Sequence, residues 1–142
     1  MRLRATTVLI DSRERKPFSF PGCKTRVTLL RAGDYSIAGR VEGVAIERKG
    51  SAEEFARNCG SDWGRQRRAL DRLAMIPYRA IVAQFTMNAL MKGSMYGRVP
   101  VETILARLSE ITLDMGIPVL FAGEAAEEVT RAMLYRFARE HT

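Results

Sequence analysis

Asp34, Glu47 and Lys49 are the residues whose types and spacing suit a reaction. Glu47 and Lys49 lie two apart in Ile46-Glu47-Arg48-Lys49, and Asp34 precedes Glu47 by thirteen positions. Side chains alternate between faces along a strand, so Glu47 and Lys49 share one face and Arg48 takes the other. Two carboxylates can hold a hard divalent cation, which polarises a phosphodiester and acidifies bound water. A neighbouring lysine can orient that water or offset charge developing in the transition state. Such a D…ExK set suits phosphodiester hydrolysis. The same residue types also occur at solvated hairpin ends, and the bare pattern does not choose between the two.

The elements that must position these residues follow from patterning. Residues 33–38 and 43–48 predict the two arms of a hairpin, joined by a loop with Gly39 and Gly43 at its ends. A symmetric hairpin centred on Val41 sets Asp34 opposite Arg48, one position from Glu47. The register stays open, but either pairing keeps the carboxylates close. Upstream, residues 7–10 are a β-branched run that predicts a buried strand ending at Asp11, and residues 26–30 predict a second strand.

Downstream, Ser51-Ala52-Glu53-Glu54 matches a capping box and starts a helix. Cys59-Gly60-Ser61-Asp62 interrupts it, and a second helix runs to about Met75, ahead of Pro77. A strand at 79–84 precedes a helix at 101–115, with Ile104, Leu105, Leu108, Ile111 and Met115 on one face and Gly116 as its stop. A strand at 117–121 and a helix at 124–139 complete the alternation. The expected class is α/β, a central mixed sheet with helices on both faces.

Composition narrows the chemistry. The chain has 142 residues, 46% hydrophobic and 27% charged, which fits one compact domain over 1–142. No apolar run reaches the roughly 18 residues of a membrane helix, and the apolar stretch after Met1-Arg2-Leu3-Arg4 is too short for a signal peptide. A cytoplasmic protein with no membrane partner is expected. Cys23, Cys59 and the single histidine, His141, cannot make a zinc site, so a metal must rely on carboxylates, which favours Mg2+ or Mn2+. Lysine and arginine number 23 against 16 acids, a net charge of +7, and 19 of the 23 are arginine. Planar guanidinium groups suit phosphate oxygens, so nucleic acid is the first partner to consider.

Three ordered blocks extend the pattern: Val8-Leu9-Ile10-Asp11-Ser12-Arg13-Glu14, Gly33-Asp34-Tyr35-Ser36, and Ile46-Glu47-Arg48-Lys49. Together they resemble the XPF/Mus81 nuclease family, the ERCC4-type nuclease domain, whose pattern is Asp-x-Arg-Glu, Gly-Asp-Tyr and Glu-Arg-Lys-x-x-x-Asp. The resemblance continues in the basic run 64–73 and in residues 117–122, similar to small phage and bacterial members. It implies a restriction-endonuclease-like (PD-(D/E)XK) core and Mg2+- or Mn2+-dependent cleavage of DNA, typically branched or flapped. It further implies Asp34 and Glu47 as principal metal ligands, Asp11 as a further ligand directly or through water, and Lys49 positioning the attacking water. Arg13, Glu14 and Arg48 would shape the site or hold phosphate. The chain departs from the pattern at Glu53, where the family has Asp; Glu53 also reads as a first-turn acid that complements its helix dipole.

Arg65, Arg68 and Arg72, with Arg67, lie on the second helix, and Lys92 and Arg98 lie in the methionine- and glycine-rich segment 86–98. The expectation is that Arg65, Arg68, Arg72, Lys92 and Arg98 contact DNA; a solvated helix face is the plain alternative. Segment 86–98 reads either as a functional loop or as a short helix with Met87, Leu90 and Met91 inward. Trp63 is expected to be a packing anchor. Related full-length enzymes usually carry a helix-hairpin-helix module, and these 142 residues are expected to be too few to include one. Grip on DNA is therefore expected from the basic surface, a homodimer or a partner subunit. The alternatives are a non-catalytic DNA-binding or dimerisation module of the same fold, and a nuclease without branch preference.

Overall fold

The computed structural model describes residues 6–97 and 99–141. Six strands form one sheet: β1 (Thr7–Asp11), β2 (Lys24–Thr28), β3 (Tyr35–Ile37), β4 (Val44–Lys49), β5 (Tyr78–Ala83) and β6 (Val119–Phe121). Their order across the sheet is β2-β1-β3-β4-β5-β6. β3 is antiparallel to both its neighbours, whereas β1–β2, β4–β5 and β5–β6 pair in parallel. The mixed sheet expected from the alternation of elements is thus present, with every strand but β3 running one way.

Two apolar layers cover the sheet, and alternation decides which residues enter each. On one face, Val8, Ile10, Tyr35, Ile37, Val44, Ile46, Ala80 and Val82 pack against Phe18, Phe20 and helix α5 (Ala126–His141). On the other, Ala45, Ile81 and Ala83 meet the helices α1 (Ala52–Cys59), α2 (Trp63–Ala74), α3 (Met87–Gly97) and α4 (Val101–Ser109). The α1 start is capped as predicted: Ser51 Oγ accepts from the Glu54 N–H at 3.2 Å. Of segment 86–98, Met87–Gly97 is helical as the second reading had it: Thr86 Oγ1 accepts from the Ala89 N–H and Leu90 is fully buried, but Met91, expected inward, is exposed. Trp63 is buried under the Arg107 guanidinium, 4.6 Å from its ring centre, and is a packing anchor. No helix among the described residues is long and apolar enough to cross a membrane.

Three details differ from the patterning. The second strand ends at Thr28 instead of reaching residue 30, because the Leu30 N–H donates to the Asp11 carboxylate at 2.8 Å instead of to a ladder. The helix expected over 101–115 is α4 followed by a π-helical turn, Glu110–Asp114, which closes before Gly116 at φ 64°. Within it Ile104 and Ile111 are buried, but Leu105, counted with them above, is exposed. It flanks the stripe 104, 108, 111, 115 instead of belonging to it.

Candidate active site

The acidic residues gather where β1 and β4 end and β3 begins. In open α/β sheets the carboxyl ends of parallel strands are where ligands bind, because the chain leaves the sheet there and opens a crevice. Asp11 closes β1, and Glu47 and Lys49 are near the end of β4. Asp34 immediately precedes β3. A cleft of ≈ 250 Å³ is lined by Asp11, Arg13, Asp34 and Glu47 from the sheet side and by Ala69 and Arg72 from α2.

The hairpin register is what brings the carboxylates together. Tyr35 pairs with Ile46, so the next step along the ladder sets Asp34 against Glu47 and not against Arg48. The Asp34 N–H donates to the Ile46 carbonyl, and Asp34 Oδ2 accepts from the Arg48 N–H at 2.7 Å. Gly33, at φ 74°, makes the approach to this strand possible, since a Cβ there would stand 3.1 Å from the Ile46 carbonyl oxygen. Burial and the facing Glu47 carboxylate push the Asp34 acid up to about 8. Two facing carboxylates do not both ionise readily without a cation.

Lys49 is buried beside the cleft, 6% exposed, and its Nζ lies 3.2 Å from Glu47 Oε2. Glu47 and Lys49 therefore share the face that alternation assigns them. Asp11 is also buried but already partnered. Its Oδ2 takes the Arg13 Nε at 2.8 Å, and its Oδ1 takes the Leu30 N–H at 2.8 Å. Burial alone would raise the Asp11 acid, but these donors hold it below the usual carboxylate range. Arg13 also donates to the Leu30 carbonyl, so it ties the end of β1 to the loop before β3.

Arg48 points to the opposite face, as alternation requires. Its guanidinium stacks 4.0 Å from the centre of the Phe18 ring and bonds Gln84 Oε1, Glu14 Oε2 and the Lys16 carbonyl. Tyr35 donates its hydroxyl to Glu14 at 2.9 Å and accepts from the Phe18 N–H. Burial raises the Tyr35 phenol, keeping it a donor. Glu14 and Arg48 thus belong to a bonded network behind Asp34, outside the cleft. Gln84 and Tyr35 are members that sequence reasoning missed. Gln84 is the first polar residue after the apolar run of β5, at the same end of the sheet as Lys49, and that position was the available signal.

The remaining expected residues scatter. Arg72 lines the cleft and donates to the Arg31 carbonyl. Arg65 and Arg68 are exposed further along α2, Arg65 beside Asp62, and Arg67 is paired with Glu110. Lys92 is exposed on α3 outside the cleft lining, and Arg98 lies outside the described residues. Glu53 pairs with Arg57 at 2.9 Å on the exposed side of α1 and does not line the cleft.

Among the described residues no group of three His, Cys, Asp or Glu side chains is arranged to hold an ion. The donors that meet are two, Asp34 and Glu47. That number suits magnesium, which is usually bound through one or two carboxylates and keeps waters or substrate phosphate for its other positions.

The six-stranded mixed sheet with its helices is a restriction-endonuclease-like fold, similar to that of XPF. The ERCC4 domain model matches residues 10–131, and the chain belongs to that family. Among solved structures, XPF from Aeropyrum pernix is similar with a TM-score of 0.69 and 20% identity, covering 94% of this chain and 62% of that one. XPF from the same organism in complex with DNA gives 0.67 and 21%, covering 94% and 66%. The chain thus spans somewhat under two thirds of both. No curated protein sequence matches it.

Proposed function

We propose that this domain is a divalent-metal-dependent DNA endonuclease that hydrolyses phosphodiester bonds, with branched or flapped DNA as substrate. The observation that carries the reading is the Asp34–Glu47 pair. Two carboxylates are forced together in a cleft, one of them pushed up to about 8, with Lys49 as the nearest cation. Packing of that kind costs stability. It has a use if the pair holds Mg2+ or Mn2+, which when bound supplies charge to the phosphodiester and a more acidic water.

The chain's own residues supply the rest. The Arg48 N–H fixes one oxygen of Asp34, which leaves the other to face Glu47. Lys49 keeps charge beside Glu47 and is the donor available to orient the attacking water. Arg13 and Leu30 fix Asp11 at the cleft wall, where it reaches the site through water. Arg72 and the exposed Arg13 stand at the cleft for phosphate oxygens. Family membership supports the nuclease reading, and the similarity to an XPF described in complex with DNA supports DNA as the substrate.

The test uses labelled flap, fork and blunt duplex DNA with magnesium, with manganese and with a chelator. Wild type should cut in either metal and not in chelator, and Glu47→Ala should fall to background. Faster cutting of flap or fork than duplex supports the branch preference; equal rates remove it. If wild type binds DNA but cuts nothing in either metal, the enzyme reading fails and a non-catalytic DNA-binding module replaces it.

A further inference from the structure

Beside the cleft, on the same sheet face, lies a groove of ≈ 760 Å³. It is continuous with the cleft, since Arg31, Ala32 and Arg72 line both. From there it runs along the last turn of α2 to the turn between β3 and β4, where Val41 and Glu42 close it. Leu9 lines it from β1, two residues before Asp11, with Leu29 and Met75 on its walls. Leu29 is 69% exposed and Met75 81% exposed, so this apolar surface is open to solvent.

Three arginines line the same groove: Arg26 from β2, Arg31 from the loop before β3, and Arg72 from α2. None forms an ion pair with an acid among the described residues, whereas Arg57, Arg65, Arg67, Arg131 and Arg136 each do. Glu42 is the only acid in the lining, at the end away from the cleft. Apolar walls with unmatched arginines have a particular complement, a polyanion that also exposes flat apolar surface. Duplex DNA offers phosphates but keeps its base faces stacked. An unpaired strand offers both, phosphates and bases to the guanidinium planes and further apolar base surface to be buried on Leu29 and Met75.

We infer that this groove binds an unpaired strand of DNA and feeds it to the Asp34–Glu47 cleft. The inference rests on the nuclease reading for the identity of its ligand. It goes further by naming the surface that selects branched over continuous DNA: Leu29, Met75, Arg26 and Arg31. An amphipathic helix from a partner protein would also cover the apolar walls, but it would leave three arginines unmatched unless it brought acids of its own.

The test measures fluorescence anisotropy in chelator, so that nothing is cut, with a fluorescein-labelled oligothymidine and a blunt duplex of equal length. Wild type is compared with Leu29→Ser/Met75→Ser, which leaves charge unchanged, and with Arg26→Gln. All three positions are on the surface, and melting curves confirm the fold. The double variant should bind oligothymidine about tenfold more weakly, the scale of losing the burial of one apolar side chain. Its duplex affinity should stay at wild-type level. Arg26→Gln should weaken oligothymidine binding more than duplex binding. Unchanged oligothymidine affinity, or parallel losses on both probes, overturns the inference. So does sedimentation showing a wild-type dimer that the double variant dissolves, which makes the groove a self-interface. If wild type cuts no DNA, the nuclease reading has failed, and the anisotropy still reports on the groove independently.

Discussion

Two sides of the same short hairpin solve the problem of buried charge in opposite ways. Behind the sheet, Arg48 is matched at nearly every donor by Gln84, Glu14, Lys16 and the Phe18 ring, and Glu14 is matched in turn by Tyr35. In front, one residue before Arg48 and one before Tyr35, Glu47 and Asp34 press two carboxyls together, with Lys49 the cation paired to Glu47. Satisfied polar networks fix geometry, whereas unsatisfied ones store a demand for something absent. The contrast teaches that the rear network is scaffold and the front pair is the working part, held in an unfavourable arrangement by the scaffold behind it.

Substitutions can break this division. The largest effect should come from the front: Lys49→Ala should lower the cutting rate about 10²–10³-fold, the scale of removing one preorganised donor. Single-turnover rates on flap DNA would show it. Its neighbour should behave differently. Arg48→Ala should cost about 2 kcal/mol of stability by removing the charged partner of the half-buried Glu14 and leaving it only the Tyr35 hydroxyl, visible in urea unfolding, while folded molecules still cut. A rate loss without a stability loss would move Arg48 to the front.

A smaller effect should come from Asp34. Its acid is raised in the folded state, so its contribution to stability is full below the usual carboxylate value of 3.8 and is lost as pH rises through about 8. In chelator, wild type should therefore melt at falling temperature across that window. Asp34→Asn should flatten the slope and be more stable at alkaline pH by roughly 1–2 kcal/mol. Magnesium should raise the melting temperature of wild type and not of the variant. A wild-type melting temperature that is flat with pH would mean the carboxyls are not in conflict. The smallest effect should be Gln84→Ala, about 1 kcal/mol from two lost hydrogen bonds to Arg48, with cutting retained.

Much of this division could be read before any coordinates. Strand alternation separated Glu47 and Lys49 from Arg48, and the order of helices and strands implied a sheet covered on both faces. The register could not be read. A symmetric loop would set Asp34 against Arg48, but Gly43 and Val44 both donate to the Arg40 carbonyl, which shifts the pairing by one residue toward Glu47. Nor could the partners of Asp11 be read. Its bonds to Arg13 and Leu30 depend on how the loop after β2 returns to β1, a tertiary event that leaves no periodic trace. Gln84 escaped for a similar reason, since its role exists only once β5 lies beside β4.

The position of β3 also bears on how the molecule comes to be made. Asp11, Asp34, Glu47 and Lys49 all precede residue 50, and β3 pairs with both β1 and β4 within that stretch. These strands can therefore associate early, as low-contact-order elements do. Their apolar side, with Val8, Ile10, Tyr35 and Ile46, is lined in part by Phe18 and Phe20, and its cover is completed when Ala126–His141 docks. A nascent chain thus carries its acidic cluster already assembled on a sheet whose back is half covered, and that interval is when it is most exposed to sticking to its neighbours.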